Sequence, residues 1–305
     1  MDITTVLGYE TFTIVEKLDK GWSDDVKYYI ETNKNDKLLL RLSDIDKYEH
    51  KKYEYEMMRE CSNQGIVMQG PLDFGVCNND KNVYILMRWC EGDSANEVLS
   101  NYSLEKQYEL GINAGVMLKK IHLLSAPENS ENWSVSFRRK SNNKIRQYLD
   151  CNIRFENDDK IIRFIKENSY LLEDRNSTFQ HGDYHVGNMV ISKDNQLSVI
   201  DFNRISYGDP WEEFNRVVWS AEVSPYFASG QINGYFTGEP PIEFFKLLAL
   251  YISVNTLSSI PWAVKFGEEQ INIMLKQAQD VLRWFDNMSN PIPTWYKKTY
   301  ESITL

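Results

Sequence analysis

The hydrophobic positions in the first ninety residues follow the short period of β-strands. Apolar runs alternate with turn-forming segments such as Lys20-Gly21-Trp22-Ser23 and Asn78-Asn79-Asp80. The runs predict five strands, within residues 11–18, 26–31, 38–42, 72–77 and 83–89. Between the third and the fourth run, residues 48–63 carry charges on one face and predict a helix, which Gly65 ends. The pattern therefore predicts a small antiparallel sheet with one helix.

Beyond residue 90 the apolar positions follow the period of a helix. Leu110, Ala114, Met117 and Ile121, for example, recur at three- and four-residue spacing. The exception is residues 180–202, where two apolar runs flank a turn at Asp194-Asn195 and predict two short strands. We therefore expect an α+β protein with an N-terminal sheet lobe, residues 1–90, and a larger, mainly helical lobe, residues 91–305.

Composition and charge exclude some classes of partner. The chain has 305 residues, 42% of them hydrophobic, and a net charge of -10, which disfavours nucleic acids and anionic membrane surfaces. It has no Cys-x-x-Cys pair and no basic, apolar leader, and we find no run of the ~18 apolar residues that a membrane span needs. We expect a cytoplasmic protein that binds neither nucleic acid nor membrane.

One segment has the residue types that phosphoryl transfer requires. It reads HGDYHVGN over His181–Asn188, and the next predicted strand ends in Asp201. Phosphoryl transfer needs a carboxylate near the attacking hydroxyl, and Mg²⁺ needs hard oxygen ligands. Asp183 is the candidate base, and Asn188 and Asp201 are the candidate metal ligands. The predicted strand–turn–strand returns Asp201 towards the loop.

These residues resemble the aminoglycoside phosphotransferase and choline kinase group, whose fold is similar to that of protein kinases. The resemblance rests on the loop above, on Ile200-Asp201-Phe202, on Gly208-Asp209-Pro210 and on Leu118-x-x-Ile121-His122 upstream. It implies a bilobal protein-kinase-like fold and a phosphotransferase with an alcohol group as acceptor. ATP or GTP would be the phosphate donor and Mg²⁺ the cofactor.

The resemblance also implies roles for individual residues of the catalytic segment. Asp183 corresponds to the catalytic base, and Asn188 and Asp201 correspond to metal ligands. His181 and Asp209 are expected to hold the loop in place. The two histidines of the loop, His181 and His185, lack a third ligand of matching spacing, so a zinc site is not expected.

In the N-terminal lobe the resemblance implies a nucleotide site. Arg41 occupies the third-strand position that holds phosphates, and a helix glutamate should pair with it. Glu54 is our choice and Glu56 the alternative. Ser23 lies in the loop expected to cover the phosphates, and Met87 to Cys90 form the expected hinge against the nucleobase.

The acceptor is less closely defined than the chemistry. Residues 201–243 contain seven carboxylates and two arginines, which favours an amine-bearing, cationic acceptor, aminoglycoside-like and connected with antibiotic resistance. The alternatives are a metabolite such as choline, a hydroxy amino acid or a glycated amine, a macrolide, or an inactive pseudokinase that binds nucleotide. A monomer or weak dimer is expected. The candidate acceptor contacts are Glu212, Glu213, Glu222 and Trp262.

Overall fold

The computed structural model of the protein describes residues 2–19 and 24–298. They form ten β-strands and nine α-helices. The strands are β1 (Phe12–Leu18), β2 (Val26–Thr32), β3 (Lys37–Asp44), β4 (Pro71–Cys77), β5 (Asn82–Arg88), β6 (Asp93–Ser94), β7 (Thr178–Gln180), β8 (Met189–Ile191), β9 (Leu197–Val199) and β10 (Ser206–Gly208). The helices are α1 (Tyr48–Asn63), α2 (Ala95–Val98), α3 (Leu104–Ile121), α4 (Trp133–Asp150), α5 (Asp158–Asn168), α6 (Val217–Val223), α7 (Pro225–Phe236), α8 (Ile242–Ala263) and α9 (Glu268–Trp284).

The chain divides into two compact units. Unit 1 takes the residues up to Ala95 together with Asn188–Arg204, and unit 2 takes Asn96–Gly187 and the residues from Ile205 onward. The division into two domains after residue 90, expected from the sequence, stays a prediction. The compact units assign residues 91–95 and 188–204 to unit 1.

The main sheet of unit 1 confirms the predicted five antiparallel strands and single helix. Its spatial order is β1-β2-β3-β5-β4, and α1 packs against β4 and β5. The central strand β3 is buried from Leu38 to Ser43 because it has a neighbour on each side. Leu40 and Leu42 pack with Ile30 and Leu86 in one apolar cluster. Each such side chain stabilises the fold by about 1.5–3 kcal/mol.

A second, three-stranded sheet in unit 1 contains the predicted strand–turn–strand. Its order is β6-β8-β9, and Met189 pairs with Val199 in antiparallel register. The turn between β8 and β9 has Asn195 in the left-handed region at φ 60°, a conformation that asparagine tolerates better than most residues. The register places the residues that precede β8 next to those that follow β9.

Unit 2 contains a crossing of α3 and α7 in which main chain meets main chain. Gly111 and Gly115 of α3 lie against α7, and Gly230 and Gly234 of α7 lie against α3. A Cβ atom on Gly115 would stand 2.1 Å from the carbonyl oxygen of Gln231, well inside van der Waals contact. Only glycine allows this separation, which resembles the small-residue crossings of close-packed helices.

The longest helix, α8, forms the core of unit 2 and packs against α4, α5 and α9. Residues Ile242–Phe266 are long and apolar enough, by length and composition, to cross a membrane, which corrects the expectation that no such run exists. In the structure 67% of the 18-residue apolar window within these residues is buried inside the protein. Burial on several sides is also typical of the central helix of a globular domain, and it explains why the helix is apolar all round.

Candidate functional site

Arg41 lies on β3 in unit 1, buried, with 3% of its surface exposed. Its Nη1 donates a hydrogen bond of 2.7 Å to Oε1 of Glu54, which α1 holds completely buried. Glu56 is exposed, two residues further along the same helix. The structure therefore contains the expected Arg41–Glu54 pair, and its role with nucleotide stays a prediction.

Asp25 and Lys51 complete a buried network that sequence reasoning missed. The Asp25 carboxylate accepts hydrogen bonds from the Arg41 guanidinium, from Lys51 Nζ at 2.8 Å and from Ser43 Oγ at 2.6 Å. Lys51 also donates to Oε2 of Glu54 at 2.9 Å. Two cations and two carboxylates thus neutralise one another, as burial requires. Lys51 lies three residues before Glu54 on α1, which was the one local signal for this network.

The charges of this network set the ionisation of its members. Burial alone would lower the pKa of Arg41, but Glu54, Asp25 and Asp201 outweigh it and raise the pKa above its ordinary value. Burial alone would raise the pKa of Asp25, but Arg41, Lys51 and Ser43 outweigh it and hold the pKa well below its usual range. Arg41 and Asp25 therefore stay charged at neutral pH.

Asn188 and Asp201 come together in unit 1 as the sequence pattern predicts. Asn188 precedes β8, Asp201 follows β9 after one residue, and Ile200 N–H donates to the Asn188 carbonyl at 3.0 Å. Asp201 is in the left-handed region at φ 66°, a conformation that costs an aspartate about 1–3 kcal/mol and recurs at functional sites. Its Oδ1 lies 4.0 Å from Arg41 Nη1.

This pair has the oxygen chemistry that a magnesium ion prefers. A carboxylate and an amide oxygen are hard ligands, and the Asp201 side chain is 30% exposed, so it is accessible to an ion. Among residues 2–19 and 24–298 no group of three or more His, Cys, Asp or Glu side chains is arranged to hold a metal. An ion at this pair would therefore take its remaining ligands from phosphate and water, as Mg²⁺ commonly does.

The remaining nucleotide-site predictions lie near the end of β5 or outside the described residues. Met87 is completely buried in β5 and pairs with Leu39 of β3. Cys90 follows the strand and is partly buried, and burial raises the pKa of its thiol to about 11 although a hydrogen bond with Ser198 opposes the shift. Ser23 and the rest of the loop at 20–23 lie outside the described residues.

In unit 2, Glu213 fixes the loop that carries Asp183. Its carboxylate accepts hydrogen bonds from the main-chain N–H groups of His181 at 2.7 Å and Gly182 at 2.8 Å. Gly182 has φ 83°, where glycine is favoured. The His181 ring is fully buried, and its Nδ1 accepts from Asp183 N–H at 3.2 Å. The expected role of His181 in holding the loop agrees with this geometry.

The Asp183 carboxylate is accessible and lies beside a cation. Its side chain is 16% exposed, and its Oδ1 is 3.3 Å from Nε of Arg216 and 3.7 Å from Nε2 of His185. A guanidinium at this distance stabilises the negative charge of the carboxylate. Only the ionised carboxylate accepts a proton, so the arrangement suits a general base.

Asp209 is a structural residue of unit 2. Its completely buried carboxylate accepts two hydrogen bonds from Arg175, one from Tyr251 Oη at 2.6 Å and one from Trp211 N–H at 2.9 Å. Its carbonyl accepts from the side chain of Gln180, the last residue of β7, directly before the loop. A fully satisfied buried carboxylate of this kind rigidifies its surroundings, which agrees with the bracing role expected for Asp209.

The family of this chain follows from its similarity to known proteins. The profile of the phosphotransferase enzyme family matches residues 14–245, most of the chain. The chain belongs to this family. No protein of curated function matches the sequence of this phosphotransferase.

Solved structures similar to this phosphotransferase show its fold. Amicoumacin kinase hAmiN, in complex with AMP-PNP, Ca²⁺ and Ami, is 13% identical with a TM-score of 0.64, covering 95% of this chain and 92% of its own. A choline/ethanolamine kinase family protein from Mesorhizobium loti is 15% identical with a TM-score of 0.64, covering 94% and 95%. Aminoglycoside phosphotransferase APH(4)-Ia is 13% identical with a TM-score of 0.65, covering 90% and 94%. The fold is therefore α+β and protein-kinase-like.

Two of the predicted acceptor contacts of the phosphotransferase already have partners within unit 2. Glu213, 2% exposed, holds the Asp183 loop and lies 3.6 Å from Nε2 of His122. It therefore braces the loop, and its burial leaves little surface for a ligand, while its role as an acceptor contact stays a prediction. Glu212 pairs with Lys140 at 3.1 Å and accepts from Gln180 at 3.2 Å.

Glu222 and Trp262 are more accessible. The Glu222 side chain is 25% exposed and lies 4.0 Å from Lys276 Nζ. Burial raises its pKa, Asp280 adds to the shift, and Lys276 opposes it. Trp262 is 38% exposed at the end of α8 and packs on Phe266 with ring centroids 4.6 Å apart. Both stay predictions as acceptor contacts.

Proposed function

We propose that this phosphotransferase is a small-molecule kinase that transfers the γ-phosphate of ATP or GTP to a hydroxyl group of a small acceptor. The observation that carries the proposal is the loop at Asp183. The backbone of this loop is held by the buried Glu213, and the Asp183 carboxylate is accessible beside Arg216. Phosphoryl transfer depends mainly on positioning and charge stabilisation, and a fixed carboxylate of this kind supplies the positioning on the acceptor side.

The proposed role of Asp183 is to orient the acceptor hydroxyl and accept its proton as the phosphate is transferred. A carboxylate in this role contributes about 10²- to 10⁴-fold to the rate. Arg216 stabilises the negative charge of the carboxylate, and the hydrogen bonds from His181 and Gly182 to Glu213 limit movement of the loop.

In unit 1, Asn188 and Asp201 would hold Mg²⁺, and their oxygen donors fit that ion. When bound, the ion would offset the negative charge of the phosphate oxygens. Arg41, fixed by Glu54, is the proposed cation for the nucleotide phosphates, and the segment from Met87 to Cys90 the proposed contact for the nucleobase. The solved amicoumacin kinase complex contains AMP-PNP and Ca²⁺, which supports a nucleotide and a divalent cation here.

For the acceptor, an amine-bearing compound is the first class to test, aminoglycosides included. Residues 201–243 keep an excess of carboxylates, and solved relatives of the same fold include a complex with ADP and hygromycin B. Choline, hydroxy amino acids, glycated amines and macrolides are the other acceptors in the test. A cytoplasmic location and a role in antibiotic resistance belong to the same proposal.

The test is an assay of ADP or GDP release with each class of acceptor, run with ATP and GTP separately. We expect Asp183→Asn to lower kcat by about 10²- to 10⁴-fold and to leave nucleotide binding, measured by calorimetry, within about threefold. Asp194→Asn is the matched control, because Asp194 is exposed in the β8–β9 turn. Unchanged turnover in Asp183→Asn, or nucleotide binding without turnover of any acceptor, would refute the proposed reaction, and the latter would indicate a pseudokinase.

A further inference from the structure

Three cations of unit 2, Lys140, Lys144 and Arg216, lie on two neighbouring elements, and Arg216 is beside the proposed base. Lys140 of α4 contacts Glu212 at 3.1 Å, and Glu212 begins the 3₁₀ turn Glu212–Arg216. Lys144 lies one helical turn after Lys140, and Arg216 lies four residues after Glu212. The contact between Lys140 and Glu212 sets the two elements side by side, and Arg216 is near enough to Lys144 for its charge to act on it.

Lys144 has no counter-ion in the part of the chain that the structure describes. It is partly buried, and no carboxylate among those residues lies within ion-pair distance of it. Burial lowers its pKa, and the neighbouring charges of Lys140 and Arg216 lower it further. A partly buried cation near two other cations is unfavourable unless an anion joins it.

Arg216 also has donors to spare. Among the described residues Asp183 is the one carboxylate paired with it, through Nε at 3.3 Å. A guanidinium has five N–H donors, and a single carboxylate takes at most two of them in line. The Arg216 side chain is 26% exposed, so a ligand can reach it.

We propose that Lys144 and Arg216 bind an anionic group of the acceptor, a carboxylate or a phosphate, next to the hydroxyl that Asp183 activates. This inference rests on the proposed kinase function. It narrows the amine-bearing acceptors to molecules that also carry a negative charge, such as hydroxy amino acids or phosphorylated amino sugars. Lys140, already paired with Glu212, positions α4 and does not contact the acceptor.

The first experiment uses pairs of acceptors that differ by one anionic group. Ethanolamine is compared with L-serine for a carboxylate, and glucosamine with glucosamine 6-phosphate for a phosphate, in the ADP-release assay with saturating MgATP. We expect the anionic member of at least one pair to have a kcat/KM at least 10-fold higher. A kcat/KM ratio below 10 in both pairs, including any preference for the cationic ethanolamine or glucosamine, would overturn the inference.

The variant Lys144→Gln tests the residue. We expect it to raise the KM of the anionic acceptor about 10- to 100-fold, the loss expected for a hydrogen bond to a charged group, with the nucleotide KM unchanged. Arg146→Gln is the matched control, since Arg146 is exposed on the same helix and loses the same charge. An equal effect of the two variants, or a change in the nucleotide KM alone, would overturn the assignment.

A second measurement does not depend on turnover. Trinitrobenzenesulfonate labelling of the full chain is followed by peptide mass spectrometry, with L-serine or inorganic phosphate compared with chloride at equal ionic strength. We expect either probe to slow labelling of Lys144 at least threefold relative to Lys106, which is paired with Glu109. Equal rates with all three solutes would refute the anion site, whereas failure of the kinase proposal would appear separately, as absent nucleotide binding and absent ADP release.

Discussion

The substitution Glu54→Gln tests the buried charge network of unit 1. Glu54 accepts hydrogen bonds from Arg41 at 2.7 Å and Lys51 at 2.9 Å and is completely buried. A glutamine of the same shape keeps one acceptor oxygen but removes the charge. Arg41 and Lys51 would then share the buried carboxylate of Asp25, and the second positive charge would be offset only by the partly exposed Asp201, 4.0 Å from Arg41.

The expected loss of stability follows from these contacts. Each hydrogen bond to a charged group contributes about 1.5–3 kcal/mol, and breaking a buried pair typically costs about 3–5 kcal/mol. Because glutamine still accepts one bond, we expect a decrease of about 3 kcal/mol in the free energy of unfolding. At roughly 2–4 °C per kcal/mol, the melting temperature should fall by about 6–12 °C.

Glu56→Gln is the matched control. Glu56 lies on the same helix but is exposed, so its removal should change the free energy of unfolding by less than about 0.5 kcal/mol. Urea unfolding followed by circular dichroism gives both values, and hydrogen exchange shows whether the loss is local to β3 and α1. Equal effects of the two substitutions, or faster exchange only in unit 2, would refute the reasoning.

Three further outcomes follow from other contacts. Gly115→Ala should destabilise the protein by more than about 2 kcal/mol in urea unfolding, because its Cβ would meet main-chain atoms, whereas Val116→Ala, at an exposed position, should cost under about 1 kcal/mol. Asp25 has a lowered pKa, so its contribution to the free energy of unfolding is complete above the pKa of an unfolded aspartate, near ~3.9, and is lost as the pH falls below that value. Asp25→Asn should therefore be less stable than the wild type at pH 7, and its stability should fall less steeply in acid. Cys90, with a pKa of about 11, should react slowly with iodoacetamide at pH 8, as judged by mass spectrometry, and faster only in more alkaline solution.

Local patterns predicted the elements of unit 1 well. The helix expected over residues 48–63 is α1 (Tyr48–Asn63), and the run expected over 38–42 is the centre of β3. The antiparallel return of Asp201 towards Asn188 also followed from two apolar runs and a turn. These features depend on neighbours in the sequence, where periodicity and turn chemistry are informative.

Contacts between distant segments were not predictable in the same way. Asp25, just before β2, contacts Lys51 of α1, and Arg216 contacts Asp183, which lies 33 residues earlier in the chain. Glu213 was expected to face an acceptor, yet it holds the loop, because sequence shows a carboxylate but not its burial. The span of α8 was missed because its polar residues interrupt each apolar run while its average character stays apolar.

The glycine crossing of α3 and α7 bears on how this enzyme can be altered. Gly111, Gly115, Gly230 and Gly234 place one backbone against the other. A side chain introduced at any of them would meet main-chain atoms, so these positions cannot be used to reshape unit 2 in small steps. A mutant library aimed at new acceptors should therefore keep these four positions constant. Diversity belongs instead at the exposed positions of α4 that flank the partly buried Lys144, where a substitution changes charge and shape at the protein surface.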